Sequence, residues 1–139
     1  MENRAGFRGY VSSREFGGLR VPVPLQSLTL RDYCARKNYL YKLHVNENIF
    51  PHSYLVLDGL FQNLDGLEGL LIFSLFMMPE RAERRARLYE LAFRQQAEIH
   101  FVLEGVIVRE PADVAAVEEI LLIYQTLEHC PSMIPEAQA

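Results

Sequence analysis

The sequence predicts an α/β fold of three layers, with a mostly parallel sheet of four to five strands and helices on both faces. Two observations carry this. Short apolar runs alternate with longer segments of helical period, which is the pattern of strands joined by crossover helices. The run LLIFSL at 70–75 is almost free of polar residues, as a central strand covered on both faces requires. With 139 residues and no internal repeat or low-complexity linker, one domain is expected over 1–139, frayed at about 1–5 and 131–139.

The elements follow in order. FRGYV at 7–11 reads as the first strand. After the loop GGLRVPVP, Pro24 suits the first turn of a helix, where a missing N–H costs nothing. Leu25, Leu28, Tyr33 and Cys34 form the expected inner face, and ARKN ends the helix with positive charge near its carbonyl terminus. YLYKLHV at 39–45 is the second strand, closed by the turn formers and proline of NENIFPH. A helix from Ser53 places Tyr54, Leu57, Leu60, Phe61 and Leu64 three or four apart. The third strand at 70–75 leads into MMPERAERRARLYELAFRQQ, a helix with Pro79 at its start, Glu80 and Glu83 early and arginines later. EIHFVLEG at 98–105 and VIV at 106–108 are the last strands. The final helix runs from Pro111 to about His129 on a stripe of Val114, Val117, Leu121 and Tyr124, and Pro131 ends it.

Half of the residues are hydrophobic and 23% charged, the composition of a globular protein. A net charge of −4 argues against a nucleic-acid partner, because such proteins usually display a clustered basic excess. The arginines of PERAERRAR are interleaved with Glu80 and Glu83 and read as a solvated helix face. Two cysteines, Cys34 and Cys130, suggest reduced thiols rather than a disulfide framework. The amino terminus lacks the apolar core of a signal peptide, and no run approaches the roughly 18 apolar residues that span a membrane, so a cytoplasmic protein is expected. The spacings of His44, His52, His100 and His129 fit no zinc motif, and neither a metal nor a cofactor is expected.

In open α/β sheets, ligands sit beyond the carboxyl ends of the strands. By that rule Ser12, Ser13, Arg14 and Glu15, then Asn46, Glu47 and Asn48, then Ser74, then Glu104 share one edge, whereas the opposite edge receives plain connectors. Neither Ser12 nor Ser13 lies in a nucleophile elbow, so both read as ligand-orienting or turn-capping groups. Arg14 and Arg20 are candidates for an anionic group. Glu47 and Glu104 are candidates for proton transfer if they converge. The Gly17–Gly18 pair lacks the spacing of a dinucleotide site and reads as a bend.

Two resemblances add to this reading. GYVSSREF, LQSLTLRDYCARKN and the stretch from GLLIFSLFMMPE to EGVIV resemble, over residues 7–125, the catalytic domain of serine recombinases. That implies a resolvase-like fold. The recombinase chemistry is not implied, since the strand motif would need arginine and serine where Ser12 and Arg14 stand, and Met77 and Glu80 occupy the places of phosphate-binding arginines. The blocks GFRGYVSSREFGGLRVPVPLQSLTLRDYC, YKLHVNENIFP and LIFSLFMMPE resemble the sporadic carbohydrate cluster family of small bacterial proteins. This implies a role in bacterial surface-polysaccharide or related carbohydrate biosynthesis, and assigns no role to any residue. Joined to the one-sided polar clustering, it leads to the expectation of a small enzyme that binds or modifies an activated or acidic sugar, such as a sugar nucleotide, at the SSRE/NEN edge. The alternative is a non-catalytic assembly partner of a biosynthetic enzyme, or a homo-oligomer, using the apolar surplus of FSLFMM and ILLIYQTL.

Overall fold

The computed structural model describes residues 5–47 and 54–129. Its elements are β1 (Phe7–Ser12), α1 (Val23–Lys37), β2 (Tyr41–Glu47), α2 (Leu55–Gln62), β3 (Gly69–Ile72), α3 (Ala82–Arg94), β4 (Glu98–Phe101), β5 (Val106–Val108) and α4 (Pro111–His129). The sheet has the order β2-β1-β3-β4-β5, with β1 to β4 parallel and β5 antiparallel to β4. The path therefore steps outward from β1 to β2, returns past β1 to β3 and continues the other way. The chain thus reverses at β1, and the crevice between β1 and β3 opens at the carboxyl edge. Right-handed crossovers put α1 on one face and α2 and α3 on the other.

The core is built around β3, every residue of which is buried, and β1, where Phe7, Tyr10 and Val11 are sealed. Leu30, Tyr33 and Cys34 of α1 cover one face of the sheet. Leu57, Leu60 and Phe61 of α2, with Leu88, Tyr89 and Ala92 of α3, cover the other. Asn38 closes α1 in the left-handed conformation, and Arg36 and Lys37 face its carbonyl end. Arg85 of α3 makes a two-pronged ion pair with Glu118 of α4, at 2.7 and 2.8 Å, to which the Tyr89 hydroxyl also donates at 2.7 Å. This pairing holds the Glu118 carboxyl below its ordinary range and fastens α4 to α3.

Several boundaries differ from the sequence expectation for local reasons. The inner face of α1 is rotated: Leu25 and Leu28 are 50% and 62% exposed, while Gln26 is buried. A glutamine with three backbone partners outcompetes two leucines for that side, and hydrophobic spacing alone does not register this. β3 stops at Ile72 because the Ser74 side chain caps a 3-10 turn over Leu75–Met77. β4 stops at Phe101, and Glu104 lies in the turn to β5. β2 extends to Glu47, so Asn46 and Glu47 end a strand rather than begin a loop. Cys130, His52 and the expected frayed tail at 131–139 lie outside the described residues.

The amino edge of the sheet holds a buried imidazole. His100 Nδ1 lies 2.7 Å from the Tyr33 hydroxyl and Nε2 2.8 Å from Glu98, whose other oxygen accepts from Arg109 at 3.0 Å. Phe7 and Tyr39 pack edge-on against the ring. Burial pushes the His100 pKa below its ordinary 6.5; the hydrogen bond to Glu98 opposes this without overcoming it, and the Arg109 and Lys37 charges reinforce it. The folded state thus favours the neutral ring. The stability this confers is present above the unfolded value of 6.5 and is lost as pH falls from there towards the folded pKa. In urea titrations the midpoint of the native protein should drop between pH 7.5 and 5.5. His100→Gln, which cannot titrate, should show a flatter dependence over that window. Equal slopes would remove His100 as the cause.

Candidate functional site

The carboxyl edge brings the first two predicted segments together. Ser12 and Glu47 are register partners, Tyr10 donates its hydroxyl hydrogen to Glu47 at 2.8 Å, and Arg14 donates to the Tyr10 oxygen at 3.2 Å. Burial, with the Glu47 hydrogen bond, drives the Tyr10 pKa far up, so the phenol stays protonated.

Ser12 is 1% exposed. Its hydroxyl accepts from the Arg14 N–H at 3.1 Å, the pattern of a serine turn. Its backbone is gripped by Gln26, which accepts from the Ser12 N–H at 3.1 Å and donates to the Ser12 and Val21 carbonyls at 2.7 and 2.8 Å. One side chain thereby ties both ends of the 12–21 loop to α1. Gln26→Met preserves volume and leaves these backbone groups without partners, so it should cost about 2 kcal/mol and speed limited proteolysis within 13–21. Unchanged stability and cleavage would show that the loop needs no such tie.

The two carboxylates named for proton transfer are each engaged separately. Glu47 is buried and accepts from Tyr10, from the Val56 N–H at 2.9 Å and from the Leu57 N–H at 3.1 Å, so it stands at the amino terminus of α2. Glu104 accepts from the Ser74 hydroxyl at 2.7 Å and the Leu75 N–H at 2.9 Å. Glu47 ends β2 and Glu104 follows β4, with β1 and β3 between those strands, and the two carboxylates share no hydrogen-bond partner. Ser13 is half-buried, and Glu15, Arg20 and Asn46 are exposed on the same rim. Asn48 lies outside the described residues.

A second set of side chains gathers beside this rim. The Arg14 guanidinium lies 4.5 Å from the centre of the Tyr54 ring, and that of Arg84 lies 5.2 Å from it. Arg81 and Arg84 line a hollow of about 260 Å³ with Tyr54 and Pro79, and Arg84 and Arg87 line an adjoining one of about 250 Å³. The spacing of 81, 84 and 87 sets three arginines in one row along α3. Asp58 pairs with Arg84 at 2.8 Å, Glu80 borders the first hollow, Glu83 lies in the first turn of α3 and Glu47 acts on Tyr54 from the β2 side, so the arginines are gathered among carboxylates rather than in a purely basic patch. No side chain caps the start of α3, so its first N–H groups and the positive end of its dipole add to the same patch. Tyr54 lies in the buried core and Arg81, Arg84 and Arg87 are exposed, as their patterns predict; what those patterns do not show is that guanidiniums from positions 14 and 84 meet over the Tyr54 ring. Among the described residues no three His, Cys, Asp or Glu side chains are placed to hold a metal, and no helix is long and apolar enough to cross a membrane.

No protein-family model and no curated protein matches the sequence. Solved structures do match in fold. One is the N-terminal catalytic domain of TP901-1 integrase, with a TM-score of 0.60 and 12% identity over 87% of this chain and 95% of that one. Another is a resolvase family site-specific recombinase from Streptococcus pneumoniae, with a TM-score of 0.56 and 14% identity over 89% of this chain and 95% of that one. The fold is therefore resolvase-like, as expected. Two expectations are corrected. The assignment to carbohydrate biosynthesis, with a sugar, sugar nucleotide or biosynthetic enzyme as partner, is withdrawn: the matching folds are those of an integrase and a recombinase, and no family match stands behind the carbohydrate resemblance. The exclusion of a nucleic-acid partner falls as well. It rested on net charge, whereas binding depends on where charge is gathered, and here arginines distant in sequence are gathered around Tyr54.

Proposed function

We propose that this chain is a nucleic-acid-binding domain that grips backbone phosphates with Arg14, Arg81, Arg84 and Arg87. The observation that carries the reading is the stacking of two guanidinium groups, from the β1 rim and from α3, on the Tyr54 ring. A guanidinium stacked on a ring is already held in place, so it loses little freedom when a phosphate arrives. The row along α3 and the uncapped amides at its start supply further donors over a short surface, matching the closely spaced charges of a nucleic-acid backbone. The names of the two matching structures, an integrase and a site-specific recombinase, agree with a partner of this class.

The proposal is one of binding. Ser12 is sealed and its hydroxyl is occupied in the turn, so it is not offered to a phosphodiester. Fluorescence anisotropy of a labelled DNA duplex tests the reading. Saturable binding at low salt that weakens steeply as salt is added is the expected result. A duplex that tumbles freely at every protein concentration would refute it.

A further inference from the structure

A separate cavity of about 430 Å³ opens on the far side of Pro79, between the loop after β1 and the helix α4. Its size is that of a small-ligand site. Phe76 and Tyr124 form one wall, their rings 4.7 Å apart and tilted, with Met78 beside them. The loop wall is Gly17 and Gly18, both at positive φ; a side-chain carbon on Gly17 would come within 3.0 Å of the Phe76 ring. The bend and this close approach both call for glycine at position 17. Glu15 and Glu80 border the space, and among the described residues neither carboxylate has a hydrogen-bond or ion-pair partner. Arg85 also borders it, but its charge is answered by both oxygens of Glu118, and its Nη1 donates to the Pro79 and Glu80 carbonyls.

The cavity thus joins aromatic faces, a polarisable thioether and two carboxylates that lack a direct hydrogen-bond or ion-pair partner among the described residues. Each of these favours a positive guest: ring faces attract cations, and carboxylates do so with longer reach. An anion would meet repulsion from Glu15 and Glu80, and the one cationic lining residue, Arg85, is already paired with Glu118. We propose that this cavity binds an organic cation, an alkylammonium or guanidinium group carried on a short apolar stem. The inference uses none of the arginines around Tyr54, and shares only Pro79 and Glu80 with the hollow beside them.

Calorimetric titration of the full chain with 1,6-diaminohexane, 1,6-hexanediol and hexanedioate tests it, the three sharing a stem and differing in charge. The diamine should bind saturably and the other two should not. Glu15→Gln with Glu80→Gln, both exposed and so harmless to the fold, should weaken the diamine roughly tenfold, and Tyr124→Leu by roughly threefold. A blocked lysine amide run beside the diamine assigns the source: tighter binding of the blocked lysine points to a peptide side chain, tighter binding of the diamine to a free amine. Equal binding of diol and diamine, preference for the diacid, absence of saturation, or full affinity in the double glutamine variant each overturns the proposal.

Discussion

Glu47→Ala is expected to destabilise the protein by about 3 kcal/mol or more, enough to unfold much of a marginally stable domain. The carboxylate is 1% exposed and accepts three hydrogen bonds: from the Tyr10 hydroxyl and from two N–H groups that open α2. Truncation leaves all three donors without a partner in a dry place, at about 1 kcal/mol or more each. It also removes the negative charge that faces the positive end of the helix. Glu47→Gln keeps the shape and one acceptor oxygen, so it should fall between the two. Urea midpoints of the three proteins decide the matter. An alanine variant as stable as the native protein would mean that the carboxylate is held in place for some other purpose, such as the proton transfer its position first suggested.

The largest effect on binding is expected from Arg81→Gln, Arg84→Gln and Arg87→Gln combined, which should reduce affinity for a DNA duplex at low salt on the order of a hundredfold. Each arginine that meets a phosphate releases condensed counterions, so the logarithm of the binding constant falls with the logarithm of salt by roughly 0.9 per contact. The triple variant should therefore also show a salt dependence shallower by two to three such steps. Stability should change little, because Arg81 and Arg87 are exposed and the Arg84–Asp58 pair is a surface one. Arg36→Gln with Arg94→Gln removes charge from exposed pairs elsewhere, with Asp32 and Glu90, and serves as the control. If both sets of substitutions weaken binding alike, attraction is diffuse and the row along α3 has no special part.

The fold was legible because its signals are local and redundant. Alternating apolar runs and helical periods mark β1 to β5 and α1 to α4 independently, and the parallel order then follows from crossover geometry. The carboxyl edge was legible for the same reason, and Ser12 and Glu47 do meet there. What each side chain does at that edge was not. Gln26 looks like an ordinary helix residue until the chain folds back on it, and Glu47 resembles a reactive carboxylate until the α2 amides arrive beside it. Tyr54 fits the apolar stripe of α2, yet its ring serves guanidinium groups from positions 14 and 84. Such functions arise from contacts across long sequence separations, to which periodicity is blind. Net charge misled in a related way, since a sum over the chain carries no information about where arginines gather.

The most direct test of the central claim is to map backbone amide shifts by NMR while a short DNA duplex is added. Perturbations confined to Arg14, Tyr54 and the 81–87 segment, fading as salt is raised, are expected. Perturbations centred instead on the opposite edge of the sheet, around 36–40 and 94–98, or no perturbation at all, would contradict it.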